Sequence, residues 1–291
     1  MKILIDGHML GSNEGGNERY TKNLILSLSK IAPIGVLLYK KLRFVKKIYS
    51  HIIINNDFIR LLIAPIIMII NGYDVLHVNY LLPFWKPLRI KYVLTVHDLY
   101  FKRSPNSYSY KDKFIFYVLF PYSLWLCDAI IVPSNFSRSE LIHFYPQYTN
   151  KVFVTYYGVD PVFRKINRRI SSIPYFLAIA SKSERKNIRT ICNAFIEARM
   201  ENTHLYIIGI KPQDTAIPRN HNIHFLGYVP DSRLNMLYHE ARALIYASSY
   251  EGFGLPPLEA LACDTQVIAS DTPCMREIGG HMYSYYQKGK L

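Results

Sequence analysis

Short apolar runs alternate with longer stretches of helical period along almost the whole chain, and this alternation limits the fold more than any other feature. KILID (2–6), DVLHV (74–78), YVLTVHD (92–98), DAIIVPS (128–134) and KVFVTYY (151–157) read as strands. Between them, 17–31 carries Leu24, Leu28 and Ile31 at helical spacing, and 110–126 and 136–144 also read as helices. Continuous apolar strands separated by helices imply parallel sheets covered on both faces. The rhythm breaks over 158–174, GVDPVFRKINRRISSIP, which is rich in Pro, Arg and Ser and reads as an interdomain linker. It then restarts with YFLAIA (175–180), a helix over 187–200, THLYIIG (203–209), IHFLGYV (223–229), a helix over 231–240, ALIYAS (243–248), a helix over 255–262 and QVIAS (266–270). The expectation is an α/β chain of two Rossmann-like domains, residues 1–165 and 166–291, with no internal sequence repeat between them.

Composition narrows the class. A length of 291 residues suits two domains of ordinary size. Half of the residues are hydrophobic and 14% are aromatic, which excludes a disordered chain. The net charge of +14 is uneven: residues 1–165 hold 21 Lys+Arg against 10 Asp+Glu, and the remainder 14 against 11. A basic first half suits nucleic acid, an anionic membrane surface or anionic substrates, against the plain alternative of a solvated basic surface. Neither a Cys/His zinc pattern nor an aromatic RNP-like run accompanies it, so nucleic acid is set aside. Cys127, Cys192, Cys263 and Cys274 have neither metal spacing nor a paired framework. MKILIDGHML lacks the apolar core of a signal peptide, so a reducing cytoplasm is the expected compartment. The runs IRLLIAPIIMII (59–70) and FIFYVLFPYSLWLC (114–127) fall short of the ~20 residues that span a bilayer. Interrupted by Pro65 and Pro121, they are expected as buried helices.

In open parallel sheets, ligands bind beyond the carboxyl ends of strands. Gly15-Gly16, His97-Asp98, Ser134, the 182–187 stretch, Gly209 and Glu251 all follow expected strands. The glycines Gly11, Gly15 and Gly16 lack dinucleotide-fingerprint spacing, and either admit a phosphate to a helix start or form an ordinary flexible loop. Lys182, Arg185 and Lys186 crowd a helix start, where positive charge opposes the helix dipole. They suit a bound anion better than a solvated turn. His97 and Asp98 are adjacent on a strand and point to opposite faces, so they are not a dyad by position, and a lone strand-end histidine is commonly structural.

Residues 250–260, YEGFGLPPLEA, are more specific. Gly252 and Gly254 bare the backbone, and Pro256 and Pro257 suit the first turn of a helix. Glu251 is then a loop residue and Glu259 a first-turn helix residue, with exposed N–H groups between them. An eight-residue spacing of glutamates alone would also fit a glycosidase pair. The Gly-Phe-Gly-Leu-Pro-Pro insert instead suits a ligand carrying hydroxyls and phosphates.

EGFGLPPLEA resembles the E-x7-E motif of retaining GT-B glycosyltransferases, specifically glycosyltransferase family 4. GGNERYTKNL, TVHDL, AIIVPSNFSRSEL, YYGVD, the ERKN of 184–187, LYIIG and FLGYVPDSRL resemble further family segments in order and spacing, along nearly the whole chain. The resemblance implies a GT-B architecture, two Rossmann-like domains facing across a cleft, with a nucleotide-sugar donor held mainly by the second. It implies that Glu259 binds the ribose, that Glu251 contacts the transferred sugar, and that the backbone at Phe253, Gly254 and Leu255 holds sugar and phosphate. Lys186, with Arg185, would neutralise the leaving diphosphate, and Gly16 would let the first domain close on it. His97 would lie beside the reacting centre, and Tyr228 and Val229 along the base. The family is known for net retention and uses no divalent metal, and this sequence has no Asp-x-Asp motif.

Three departures stand out. An arginine is more usual near Ser181, where Arg185 is the expected substitute. Asp264 stands where the family often has glycine, a position that weakens stability if the backbone there is left-handed. The chain stops at Leu291, where the family usually continues with further helices, one crossing back onto the first domain. The reading is therefore a retaining hexosyltransferase, acting from GDP-mannose or, second, a UDP-sugar, on a growing surface glycan or lipid-linked acceptor. It would work in the cytoplasm in peripheral contact with the inner, anionic membrane face, without cofactor, metal or nucleic acid. The alternative is a catalytically silent remnant or nucleotide-binding module. A glycosidase or a nucleotide-sugar epimerase is more distant.

Overall fold

The first strand, β1 (Ile3–Asp6), is buried along its whole length, as the apolar run of Ile3, Leu4 and Ile5 requires of a central strand in a covered parallel sheet. The computed structural model describes the chain except for residues 12–14, 39–49, 55, 167–172, 182, 213–219 and 288–291. It divides the chain into two units, Met1–Tyr157 and Gly158–Leu291.

In the first unit, α1 (Gly16–Leu28) links β1 to β2 (Ile34–Leu38), and β3 (Ser50–Ile53) leads into α2 (Asp57–Asn71). There follow β4 (Val75–Asn79), β5 (Lys91–Thr95), α3 (Phe120–Leu126), β6 (Ala129–Val132), α4 (Asn135–Phe144) and β7 (Val152–Val154). The strands form a parallel sheet in the order β3-β2-β1-β4-β5-β6-β7. One face packs Ile3, Ile5 and Val36 with Ile25 of α1. The other packs Leu76, Tyr92 and Leu94 with Met68 of α2, Phe120 and Leu124 of α3 and Leu141 of α4.

In the second unit, β8 (Tyr175–Ile179), α5 (Ile188–Glu197), β9 (His204–Ile208), β10 (Ile223–Gly227), α6 (Asp231–Glu240), β11 (Ala243–Tyr246), α7 (Leu255–Ala262), β12 (Gln266–Ser270), α8 (Pro273–Gly279) and β13 (Tyr283–Tyr286) follow in chain order. The sheet order is β10-β9-β8-β11-β12-β13, again parallel throughout. The winding reverses between β8 and β11 here, and between β1 and β4 in the first unit. These crevices at the carboxyl ends are where open α/β sheets take ligands.

The structure adds elements that the pattern did not separate. β2 and β3 are short strands on the outer side of β1, and β13 is an edge strand. In YSYY a serine interrupts the aromatics, so no continuous apolar run marks it. Residues 158–165, expected in a linker and within the first domain, belong with the second unit. The Phe163 ring stands edge-on to Tyr238 at 5.8 Å, and the Arg164 amide donates to Asn235 Oδ1 at 3.0 Å. Of that expected linker, 158–174, residues 167–172 lie outside the described residues.

The expectation of two buried helices is corrected. α2 starts under an Asn56 cap that accepts from the Ile59 amide and ends on left-handed Gly72. It turns Leu61, Ala64 and Met68 into the core, and its Arg60 reaches the buried Asp6 carboxylate at the end of β1. Its opposite face, including Phe58, Leu62, Ile66 and Ile70, is exposed. The second run forms α-helix over Tyr110–Phe114, a π-helical turn over Ile115–Leu119 and then α3. Phe120 and Leu124 enter the core while Phe114, Val118 and Trp125 face outward. A helix laid on one sheet face buries one side only, and these two are apolar on both.

Candidate active site

In the second unit, the turn after β8 and the loop after β11 meet at the crevice between those strands. Glu184–Lys186 form a single 3-10 turn, and Asn187, at φ 48°, reverses the chain into α5. The expected helix start at 187 is thus preceded by a separate basic turn. Bonds that stitch it to the β11 loop include Asn187 Nδ2 to the Ala247 carbonyl at 2.9 Å, the Ser249 amide to the Arg185 carbonyl at 2.8 Å, and Lys186 Nζ to Glu251 Oε1 at 2.6 Å. Lys182 lies outside the described residues, and Ser181 accepts from the Ser183 amide.

Glu251 is the centre of a buried charge cluster. Its Oε1 accepts from Lys186 Nζ, from Tyr246 Oη at 2.9 Å and from Ser248 Oγ at 2.5 Å. Lys186 Nζ also donates to Tyr246 Oη at 2.7 Å and stands 4.7 Å over that ring. Burial pushes the Glu251 carboxyl up, but the charges of Lys186 and Arg185 and the bonds from Lys186 and Ser248 outweigh it. It is held below the usual carboxylate range, as an anion. Among the described residues, all three of these donors meet Oε1 rather than Oε2.

After Glu251 the chain turns at Gly254, whose φ of 96° disfavours any side chain. A Cβ there would also stand 2.5 Å from Met275 Cε. α7 begins at Leu255, which puts Glu259 in its second turn rather than its first. Pro256 and Pro257 carry no N–H, so the orphan donors of this helix start reduce to the amides of Gly254 and Leu255. Phe253 is buried, with its carbonyl accepting from Cys274 Sγ. Glu259 is also buried and accepts from Tyr238 Oη at 3.2 Å. Tyr228 and Val229 follow β10 at the same edge of the sheet, the tyrosine exposed and the valine buried. Arg185, Lys186, Glu251, Phe253, Gly254, Leu255 and Glu259 thus gather on adjacent loops, while Tyr228 and Val229 stand two strands away.

Gly16 and His97 belong to the first unit. Gly15, at φ 67°, caps α1, and among the described residues nothing lies within 4 Å of where a Cβ on Gly15 or Gly16 would sit. His97 follows β5 and is buried in a directional hydrogen-bond chain. The Tyr157 hydroxyl lies 2.5 Å from Nδ1, and Asn79 Oδ1 lies 3.0 Å from Nε2. Asn79 Nδ2 donates to Thr21 Oγ1, which donates to the Asn17 carbonyl in the first turn of α1. With Asn79 Oδ1 an acceptor, Nε2 carries the ring proton and Nδ1 accepts from Tyr157. Burial, aided by His77 and opposed by Asp98, pushes the His97 pKa down to about 4. His97 is therefore a neutral imidazole with both nitrogens engaged. Tyr20 of α1 stands edge-on to its ring at 5.0 Å and bonds Thr95 at 2.9 Å, where His77 also bonds.

Sequence reasoning missed Asn79, Tyr157, Tyr20 and Thr21 around His97, and Tyr246, Ser248 and Tyr238 around the glutamates. Their signal was position alone, each at a strand end or one helical turn from a motif. Among the described residues, no group of three or more His, Cys, Asp or Glu could hold a metal ion. A cavity of about 600 Å³ opens elsewhere, at the amino ends of β9 and β10, and holds none of these residues.

The family model described as Glycosyltransferase Family 4 matches residues 15–163, and that described as Glycosyl transferases group 1 matches residues 160–286. The chain is 31% identical over 222 residues to the O-antigen chain mannosyltransferase B of Escherichia coli, covering 68% of this chain and 58% of that relative. It is 25% identical over 305 residues to the O-antigen chain mannosyltransferase RfbU of Salmonella typhimurium, covering 95% and 84%. The chain spans less than two thirds of the first of these relatives. Among solved structures, Anabaena Alr3699/HepE in complex with UDP-glucose superposes with a TM-score of 0.74 at 17% identity, covering 100% of this chain and 86% of that one. That likeness identifies a GT-B fold.

Proposed function

This chain belongs to glycosyltransferase family 4, and we propose that it transfers a hexose, mannose first, from a nucleotide-sugar to a growing surface glycan or lipid-linked acceptor with retention of configuration. The observation that carries the reading is the Lys186–Glu251 cluster at the carboxyl-end crevice between β8 and β11. The mannose assignment is supported by likeness to O-antigen mannosyltransferases, which makes GDP-mannose the first donor to try and a UDP-sugar the second.

The chemistry of the cluster fits such a donor. Breaking the bond between the anomeric carbon and the diphosphate oxygen leaves negative charge on the diphosphate and positive charge on the sugar. Arg185 and the amides of Gly254 and Leu255 would serve as donors for the first, joined by Lys186. The Glu251 anion, through Oε2, would hold a sugar hydroxyl close to the second. In this reading the acceptor oxygen attacks from the face that the diphosphate leaves, and its proton passes to the departing phosphate oxygen. Lys186 would exchange its Glu251 partner for phosphate oxygens on donor binding. No enzyme nucleophile or divalent ion is required. Buried Glu259 would meet the ribose only after its side chain swings from Tyr238. Such an acceptor lies at a membrane, and the basic first half suits peripheral contact with its anionic face.

The test is the melting temperature with GDP, UDP, ADP and their sugar conjugates. A ligand at 100 times its dissociation constant adds about 2.7 kcal/mol to stability. A shift with guanine nucleotides supports the mannose donor, and a shift with uracil nucleotides alone replaces it. No shift in a cooperatively folded sample overturns the donor site.

A further inference from the structure

We infer that the first unit docks onto an anionic bilayer through one surface, built from the outward face of α2, the 84–88 loop and Trp125. The inference deepens the membrane part of the proposed function and is independent of the donor. α2 places Phe58, Leu62, Ile66, Ile69 and Ile70 at helical spacing along its outer side, each at least 45% exposed and Ile70 77%. An apolar stripe along a whole 15-residue helix marks an interaction face rather than scattered surface residues.

Pro65 enlarges that face. It has no N–H to give the Leu61 carbonyl, and the Phe84 amide bonds that carbonyl instead at 3.1 Å. The 84–88 loop is thereby seated beside the helix. Phe84 lies 5.4 Å from Phe58, and Trp85 Nε1 donates to the Leu62 carbonyl at 3.0 Å. Leu88 is fully exposed. Tyr122 extends the surface to α3: its hydroxyl donates to the Phe84 carbonyl, and its ring lies 5.7 Å from that of Trp125, which is 62% exposed. Both tryptophans of the chain thus stand at the solvent edge of one apolar surface.

Charge identifies the occupant. Around the loop and Trp125 stand Arg89, Lys91 and Lys151, with Lys86 more deeply set; among the described residues the acid that meets them is Asp128, which bonds Lys86, Lys91 and the Tyr92 amide. Apolar side chains, tryptophans at the edge and a cationic rim are the makings of an interfacial surface that meets anionic headgroups. A second copy of the chain fits less well, because a two-fold interface would set this cationic rim against itself.

The tryptophans make the test direct. The full chain is mixed with vesicles of phosphatidylcholine containing about one third phosphatidylglycerol. We expect flotation with the vesicles, a blue-shifted tryptophan emission quenched by brominated acyl chains, and a fall in binding of about tenfold or more in high salt. The double substitution Ile66→Glu/Ile70→Glu is expected to weaken binding about tenfold or more. Its nucleotide-induced melting shift should stay intact, which separates lost docking from lost donor binding. Arg89→Glu, on the exposed loop, should weaken binding at low salt without disturbing the helix. Absence of flotation at low salt overturns the inference, as does flotation with unshifted tryptophan emission. A dimer in solution that Ile66→Glu dissociates would assign the face to a second copy and also overturn it.

Discussion

At the residue scale, Lys186 and His97 hold opposite electrostatic roles. Lys186 is a charged donor already paired with a carboxylate, so its removal leaves Glu251 buried beside fewer cations. Lys186→Ala is expected to weaken nucleotide binding by roughly 10–100-fold, read by calorimetry, because a charge-assisted bond to phosphate is lost. Equal affinity in the variant and the parent contradicts the proposed donor site. His97 is held neutral, and its neighbours decide which nitrogen carries the proton. Tyr157→Phe removes the hydrogen bond to Nδ1 while leaving the Asn79 bond. Turnover is expected to fall roughly tenfold, about the value of one hydrogen bond, with nucleotide affinity unchanged. The ring 15N shifts of His97 should move with it. A purely structural tyrosine would lower the melting temperature and leave turnover alone.

At the scale of elements, the loop between β11 and α7 depends on Gly254, which is both left-handed and pressed by Met275. Gly254→Ala should destabilise the second unit by about 1–3 kcal/mol, visible as a lower melting temperature, and weaken nucleotide binding with it. Asp264, after α7, tests the same physics from the other side. Its φ is 65°, so the left-handed backbone anticipated from its glycine-like position is present. Its carboxylate pairs with Lys165 at the surface. An exposed pair contributes little, so Asp264→Gly should raise the melting temperature. A fall would show that the pair outweighs the backbone.

For the molecule as a whole, the two units should respond differently to acid. His77 and His97 are buried in the first unit, and burial pushes both down to about 4. Unfolded, they titrate near 6.5, so between pH 6.5 and 4 the unfolded chain binds protons that the folded unit refuses. Stability of the first unit therefore falls as pH drops through that window, by on the order of 3 kcal/mol per histidine at its lower end. The Glu251 cluster in the second unit works at lower pH. Its depressed carboxyl contributes stability above the ordinary glutamate range, and that stability is lost only on further acidification. Hydrogen exchange at pH 7 and pH 5 should show the first unit opening more readily at pH 5. Equal responses in the two units would contradict the buried-histidine account.

Period and punctuation in the sequence determined the two parallel-sheet units, because an apolar run between helical stretches has few other ways to be buried. They also marked Lys186, Glu251, Gly254 and His97, since residues following strand ends reach a common edge of a parallel sheet. Pairing was not visible there. Glu251 meets Lys186 only because β8 and β11 lie side by side, and their separation in sequence says nothing of that. Likewise Asn79, Thr21 and Tyr157 surround His97 because β4, α1 and the end of the first unit converge on β5. Periodicity also fails where a helix is apolar all round, as α2 is: it tells which residues share a face but not which face is covered. The single sheet beneath α2 decided that, leaving the opposite stripe to solvent.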